Sequence, residues 1–303
     1  MKAWALLGVV SSLILASEVV AAAPRFSEWS VPINLGPTIN SASNDLGPAI
    51  SGDGRSLYLG SNRPGGYGMA DIWVSQRASV DDPWGTPVNL GATINTASSE
   101  QVPALSRDGH WLFFASTRPG GYGGTDLWAS WREHVHDDFN WQAPVNLGAG
   151  VNSAFFDAGA SYFENDDVGV PLLFFNSDRP GGPGGIDIYV STQQLDGSFG
   201  PAELVEELSS AGNDQRPVVR FDGLELFLWS DRSGSLGGTD LWVSTRDHVS
   251  DPWGTPVNLG ATVNGVSTEA QPYIGSDRLT LFFASDRPGG AGGFDLYVTT
   301  RSR

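Results

Sequence analysis

One motif recurs along this chain and limits what it can fold into. "GSNRPGGYGMADIWVSQR" occupies 60–77, "ASTRPGGYGGTDLWASWR" occupies 115–132 and "ASDRPGGAGGFDLYVTTR" occupies 284–301. Aligned on "PVNLG", the pattern starts at Pro32, Pro87, Pro144, Pro201 and Pro256, and sixteen residues later stand Pro48, Pro103, Ala160, Pro217 and Pro272 without a gap. Each copy then has a turn such as "SRDG" (106–109), a run such as "WLFFAS" (111–116), the glycine loop, and a second run such as "DLWAS" (126–130). The runs are short, aromatic and β-branched between turn residues, which is strand composition. "DG" closes a tight hairpin and "RPGG" breaks the strand and turns the chain.

Each copy is therefore four strands, and a four-stranded unit repeated radially is a propeller blade. The fold class expected is all-β: a five-bladed β-propeller of four-stranded antiparallel blades. A lone outer strand at 28–35 precedes the first copy, and the last copy lacks one. The N-terminal strand is thus expected to complete the last blade, 270–300, and to close the ring circularly, hiding edges that would otherwise pair with other chains.

Residues 1–21 read as a signal peptide, with Lys2, an apolar run and small residues before a cleavage point after Ala21. Residues 22–303 are then a single propeller domain, exported to the periplasm or outside the cell, with no transmembrane segment and a monomer as the expected state. The chain has no cysteine and a net charge of −17 from 34 acids and 17 bases. A basic surface is needed to hold nucleic acid, so that partner is excluded. The lack of Cys and of Lys after residue 2 removes thiol and lysine nucleophiles.

The combination acid–x–x–Pro, Ser–x–Asp–Gly, Leu–Phe–Phe–x–Ser–Asp–Arg–Pro–Gly–Gly and Gly–Gly–x–Asp–Leu–Trp–Val–Ser resembles the WD40-like Pro–Asp (PD40) repeat family over residues 28–303. That family includes the propeller domain of the periplasmic protein TolB. The resemblance implies a TolB-like propeller of the bacterial envelope, with members that mostly bind proteins or peptides.

Three residue sets are candidate sites. The first is Arg63, Arg118, Arg179, Arg232 and Arg287 of the glycine loop with Asp71, Asp126, Asp187, Asp240 and Asp295 opening the following strand. Five copies of one arrangement point to architecture, with Arg paired to Asp, as Arg232 to Asp240. The second is Asp45, Glu100, Asp157, Asp214 and Glu269, each three residues before the Pro or Ala of the inner strand, at spacings of 55, 57, 57 and 55. As a ring of carboxylates near one mouth of the channel they could pair with the loop arginines or backbone N–H groups, hold calcium, bind a ligand, or act as catalytic acids. The third is Trp131 and Trp229, bulky where the other copies are not. His110, His134, His136 and His248 have no catalytic context. The third copy departs most: "FFDAGASYFENDDVG" (155–169) loses the Pro, gains Phe155 and Phe156 and lengthens one connection, while in the fourth copy Phe199 replaces the tryptophan found at Trp29, Trp84, Trp141 and Trp253.

These features lead to a secreted or periplasmic non-enzymatic binding module, taking a protein or peptide segment or a neutral glycan at the central face. The alternatives are a glycan-active enzyme, a glycoside hydrolase or lyase using the inner-strand carboxylates, and a structural component of the cell envelope.

Overall fold

The computed structural model describes residues 26–164 and 169–303, so the signal expected over 1–21 lies outside the described residues. Among the described residues there are twenty strands and no helix. The first, β1 (Ile33–Asn34), stands apart. Blade I contains β2 (Asp45–Ile50), β3 (Ser56–Ser61), β4 (Asp71–Gln76) and β5 (Val88–Asn89). Blade II contains β6 (Glu100–Leu105), β7 (Trp111–Ser116), β8 (Asp126–Trp131) and β9 (Val145–Asn146). Blade III contains β10 (Asp157–Phe163), β11 (Leu172–Ser177), β12 (Asp187–Thr192) and β13 (Glu203–Leu204). Blade IV contains β14 (Asp214–Val219), β15 (Glu225–Ser230), β16 (Asp240–Thr245) and β17 (Val257–Asn258). Blade V contains β18 (Glu269–Ile274), β19 (Thr280–Ser285) and β20 (Asp295–Thr300), with β1 as its outermost strand.

The five-bladed, circularly closed propeller is therefore the observed fold. Ile33 pairs with Val298 and Asn34 with Tyr297, antiparallel. The Ser30 and Ser27 amides extend the seam to the Thr300 and Ser302 carbonyls, both at 2.8 Å. The outer strands are only two residues long in every blade, shorter than the expected 28–35, which leaves little edge for another chain to pair with.

Each sheet is buried on both sides because it packs between two neighbours. In the second strands, Leu57, Leu112, Leu173, Leu226 and Leu281 have no exposed surface, and neither do Leu59, Phe114, Phe175, Leu228 and Phe283. This explains the continuous apolar runs in place of strict alternation.

Every inner strand carries a bulge against its neighbour, centred on Gly47, Val102, Gly159, Arg216 and Gln271. All five have positive φ, from 45° to 68°. Glycine suits this conformation; the β-branched Val102, at φ 53°, occupies it at a cost in strain. Three of the five bulges therefore carry side chains. One of them, Arg216, reaches across the centre: its Nη2 donates to the Pro48 and Pro103 carbonyls at 2.6 and 3.2 Å, and its Nη1 to the Gln271 carbonyl at 3.3 Å. A side chain of blade IV thus binds the inner strands of blades I, II and V. It is 1% exposed, and burial pulls its pKa down to about 9.

Candidate functional site

The carboxylate ring expected at the channel mouth is buried and consumed by local pairing. Asp45, Glu100, Asp157, Asp214 and Glu269 have no exposed surface. Each meets the arginine of its own blade's glycine loop: Arg63 at 2.5 Å, Arg118 at 3.2 Å, Arg179 at 2.6 Å, Arg232 at 2.5 Å and Arg287 at 2.9 Å. Each also accepts an N–H from the loop before it, from Ser41, Thr96, Ser153, Ser210 and Gly265, at 2.5 to 2.7 Å. Carboxylates so satisfied are braces. Among the described residues no three His, Asp or Glu side chains gather as ligands for a metal ion, and the ring oxygens that calcium would need already have partners.

The arginine pairing corrects the expected Arg–Asp assignment. Arg232 pairs with Asp214 of the inner strand, not with Asp240. The third-strand aspartates instead gather the N–H groups of the glycine loop. Asp240 accepts from the Leu236 and Gly237 amides at 2.7 and 3.2 Å and from Asn258 Nδ2 at 2.6 Å. Asp71, Asp126 and Asp295 do the same with Asn89, Asn146 and Asn34. The arginines lie over the third-strand aromatics, 4.9 to 5.5 Å from Trp73, Trp128, Tyr189, Trp242 and Tyr297.

Of the unrepeated tryptophans, Trp131 is half-buried and stacks on His110 with ring centres 5.9 Å apart. Trp229 is half-buried in the second strand of blade IV, with its indole N–H unpartnered. They lie in different blades and form no common site.

A second set of arginines, each one residue past the third strand, carries no signal in the repeat pattern read above. Arg77, Arg132, Arg246 and Arg301 lie over Trp84, Trp141, Trp253 and Trp29 at 4.0 to 4.6 Å. Three of these tryptophans pack across to the preceding blade, edge-on to Tyr58, Phe174 and Phe227. Blade III has Gln193 and Phe199 at the two positions, and the crevice between blades II and III stays open.

That cleft, of about 300 Å³, is walled by Trp111 and Phe113 of blade II and by Tyr162 and Phe199 of blade III. Tyr162 stacks on Phe113 with centres 5.0 Å apart and meets Phe199 edge-on at 6.4 Å. Its hydroxyl donates to Gln193 Oε1 at 2.8 Å. Glu164, one residue past the same inner strand, and Asp108 of the blade II turn both place their charges near Tyr162. Burial, then the negative charge of Asp108, raises the Glu164 pKa against the weaker lowering by Tyr162 and Arg107. Burial and the two carboxylates raise the Tyr162 hydroxyl as well. The aromatic cleft can stack a ring, and near its wall residue Tyr162 lies a pair of carboxylates, Glu164 and Asp108, of which Glu164 has a raised pKa. The one sequence signal for it was the irregularity of the third copy.

No family model matches the chain, and no curated protein matches it by sequence. Solved structures share the fold. An α-L-arabinofuranosidase from Lactobacillus brevis is 12% identical, covers 88% of this chain and 92% of its own, and has a TM-score of 0.59. An endo-arabinase from Bacteroides thetaiotaomicron is 16% identical over 90% of this chain and 97% of its own, with a TM-score of 0.57. TolB from Acinetobacter baumannii is 17% identical over 86% of this chain and 55% of its own, with a TM-score of 0.52.

Two expectations are corrected. The PD40 resemblance is supported only as far as a propeller related in shape to that of TolB, and the emphasis on a WD40-like, TolB-like binding protein does not stand beside the other neighbours. The non-enzymatic binding module is overturned by the same comparison, because these and further neighbours are named as glycoside hydrolases. The glycan-active alternative is the one retained, although its proposed inner-strand acids are inaccessible. No helix among the described residues is long and apolar enough to cross a membrane.

Proposed function

We propose that the chain is a glycoside hydrolase acting on a neutral glycan in the cleft between blades II and III, working as one propeller domain after export directed by residues 1–21. The observation that carries this reading is the open aromatic cleft between blades II and III, whose wall residue Tyr162 feels the charges of Glu164 and Asp108. Glycosidic cleavage needs two carboxyl groups in unequal protonation states. Glu164, protonated, gives its proton to the leaving glycosidic oxygen as the bond from the anomeric carbon breaks. Either water adds to that carbon while Asp108 takes its proton, or Asp108 itself bonds to the carbon as a glycosyl ester that water then cleaves, releasing the Asp108 carboxylate and returning a proton to Glu164. Trp111 and Phe199 offer faces on which a sugar ring stacks. The net charge of −17 favours a neutral substrate over a polyanionic one.

Arabinosyl linkages are the first to test, given the neighbours named arabinofuranosidase and endo-arabinase. The expected result is release of reducing sugar from arabinan or an aryl arabinofuranoside. Glu164→Gln should reduce it by about 10² to 10⁴-fold, the usual range for one acid–base group. The anomeric configuration of the first product, read by NMR, separates the two roles open to Asp108. No turnover of arabinan, xylan or aryl glycosides, or full activity in Glu164→Gln, would reject the assignment.

A further inference from the structure

A second crevice is open, and it has a different chemistry. Between blades V and I, Trp84 is half-buried, whereas Trp29, Trp141 and Trp253 are 9%, 5% and 6% exposed. Blades I and II differ in the loop that carries the tryptophan. In blade II, Asp138 of that loop pairs with Arg132 at 2.6 Å and accepts from Ser56 Oγ at 2.5 Å, Gln76 Nε2 at 2.7 Å and the Tyr58 hydroxyl, pinning Trp141 to blade I. In blade I the corresponding Asp81 and Asp82 are exposed, and Ser79 Oγ holds Asp82 within its own loop at 2.8 Å. Among the described residues neither Asp81 nor Asp82 reaches across to blade V.

What remains is a cleft of about 420 Å³ with an apolar floor, including Phe282 and Val298, and a polar rim. Trp84 lines one side, with the Arg77 guanidinium 4.2 Å from its ring centre. Arg77 donates through Nε to the Gly54 carbonyl at 2.8 Å, and among the described residues it forms no ion pair. Asp53 and Asp277 lie on the rim, and Ser276 Oγ spans the two blades to the Gly52 carbonyl at 2.7 Å. Unspent guanidinium donors, carboxylate acceptors and an indole in one cleft match a molecule with alternating C–H faces and hydroxyl groups. The rim's two acids against one arginine disfavour an anion, and its polar groups would be left unpaired by an alkyl chain.

We propose that the V–I cleft is a saccharide-binding site separate from the carboxylate pair, taking one or two residues of a neutral oligosaccharide. One sugar ring packs on Trp84 and Phe282. Arg77 donates to its hydroxyls, and Asp277 accepts from them. This does not require hydrolysis elsewhere in the molecule, because the two clefts share no residue.

Hydroxyl-radical footprinting read by mass spectrometry localises the answer to single side chains. The full chain is oxidised alone and with arabinohexaose, xylohexaose or cellohexaose. Trp84 oxidation should slow several-fold with at least one of them, while the buried Trp141 does not change. The protection should disappear in Arg77→Gln and in Asp277→Asn, the second being a rim change that leaves the core intact, and should persist in Glu164→Gln. Equal Trp84 oxidation with and without all three sugars overturns the site. So does protection that survives both rim substitutions, or protection by an unrelated peptide that equals that by sugar. Hydrolysis without Trp84 protection, or Trp84 protection without hydrolysis, tells which of the two clefts has been misread.

Discussion

Blades III and IV are adjacent copies of one motif, and they use it differently. In blade IV, Asp240 accepts from two loop amides and from Asn258. In blade III the loop residue whose amide should donate is Pro183, which has no N–H, and the outer-strand asparagine is Leu204. Only the Gly184 amide reaches Asp187, at 3.2 and 3.3 Å to its two oxygens. Burial consequently raises the Asp187 pKa, with Gly184 opposing and Asp214 adding to the rise. The same blade lacks the arginine and tryptophan that seal blade IV to its neighbour, where Arg246 lies over Trp253 at 4.0 Å. Of the two open crevices described, the one between blades II and III belongs to the copy that has lost braces. A propeller tolerates this because the other four blades, the Arg216 tie and the β1 seam hold the ring.

The comparison can be broken most sharply by restoring the missing seal. Gln193→Arg with Phe199→Trp should fill the II–III cleft and reduce hydrolysis by about a hundredfold or more, comparable to losing an acid–base group, while thermal unfolding stays at or above that of the parent. Retained activity would mean that the cleft is not the site. Next in size is the contrast between aspartates. Asp240→Ala should cost about 3 kcal/mol, leaving three donors unsatisfied, and Asp187→Ala about 1 kcal/mol. Urea unfolding midpoints measure both, and equal losses would show that donor count does not set the stability of the loop.

A smaller effect follows from Glu164. Its folded pKa lies above the unfolded value, so its ionisation opposes folding. That penalty is absent below the ordinary carboxylate range and develops as pH rises through and beyond it. Glu164→Gln should therefore unfold at a higher temperature than the parent at pH 8, and lose that advantage at pH 4. Activity should fall on the alkaline side as Glu164 gives up its proton. Smallest is Pro183→Ala, which returns one N–H to Asp187 and should add about 0.5 to 1 kcal/mol if the loop keeps its path. No gain would indicate that Pro183 stiffens the loop by as much as the hydrogen bond contributes.

Much of this was legible in residues that repeat. The strand order, blade number, closure by the N-terminal strand and start of each strand at its acid all follow from local patterns copied five times. The ion pairs were only half legible. Arg232 and Asp240 are eight residues apart in the chain, yet Arg232 bonds to Asp214, because the inner strand passes under the loop and the third strand begins beyond it. The clefts were missed because a sealed crevice depends on two residues of one blade and an aromatic of the next. Arg216 was missed although it stood in plain sight, an arginine where the other copies have Gly47, Val102, Gly159 and Gln271.

Short-range regularity alone thus determined that the chain makes five twisted sheets and joins its ends, since hydrophobic runs and turns are properties of neighbouring residues. Tertiary structure decided which charges meet, which tryptophans are covered and what fills the axis. Those outcomes depend on distances between blades, and no window of the chain contains both sides of such a contact.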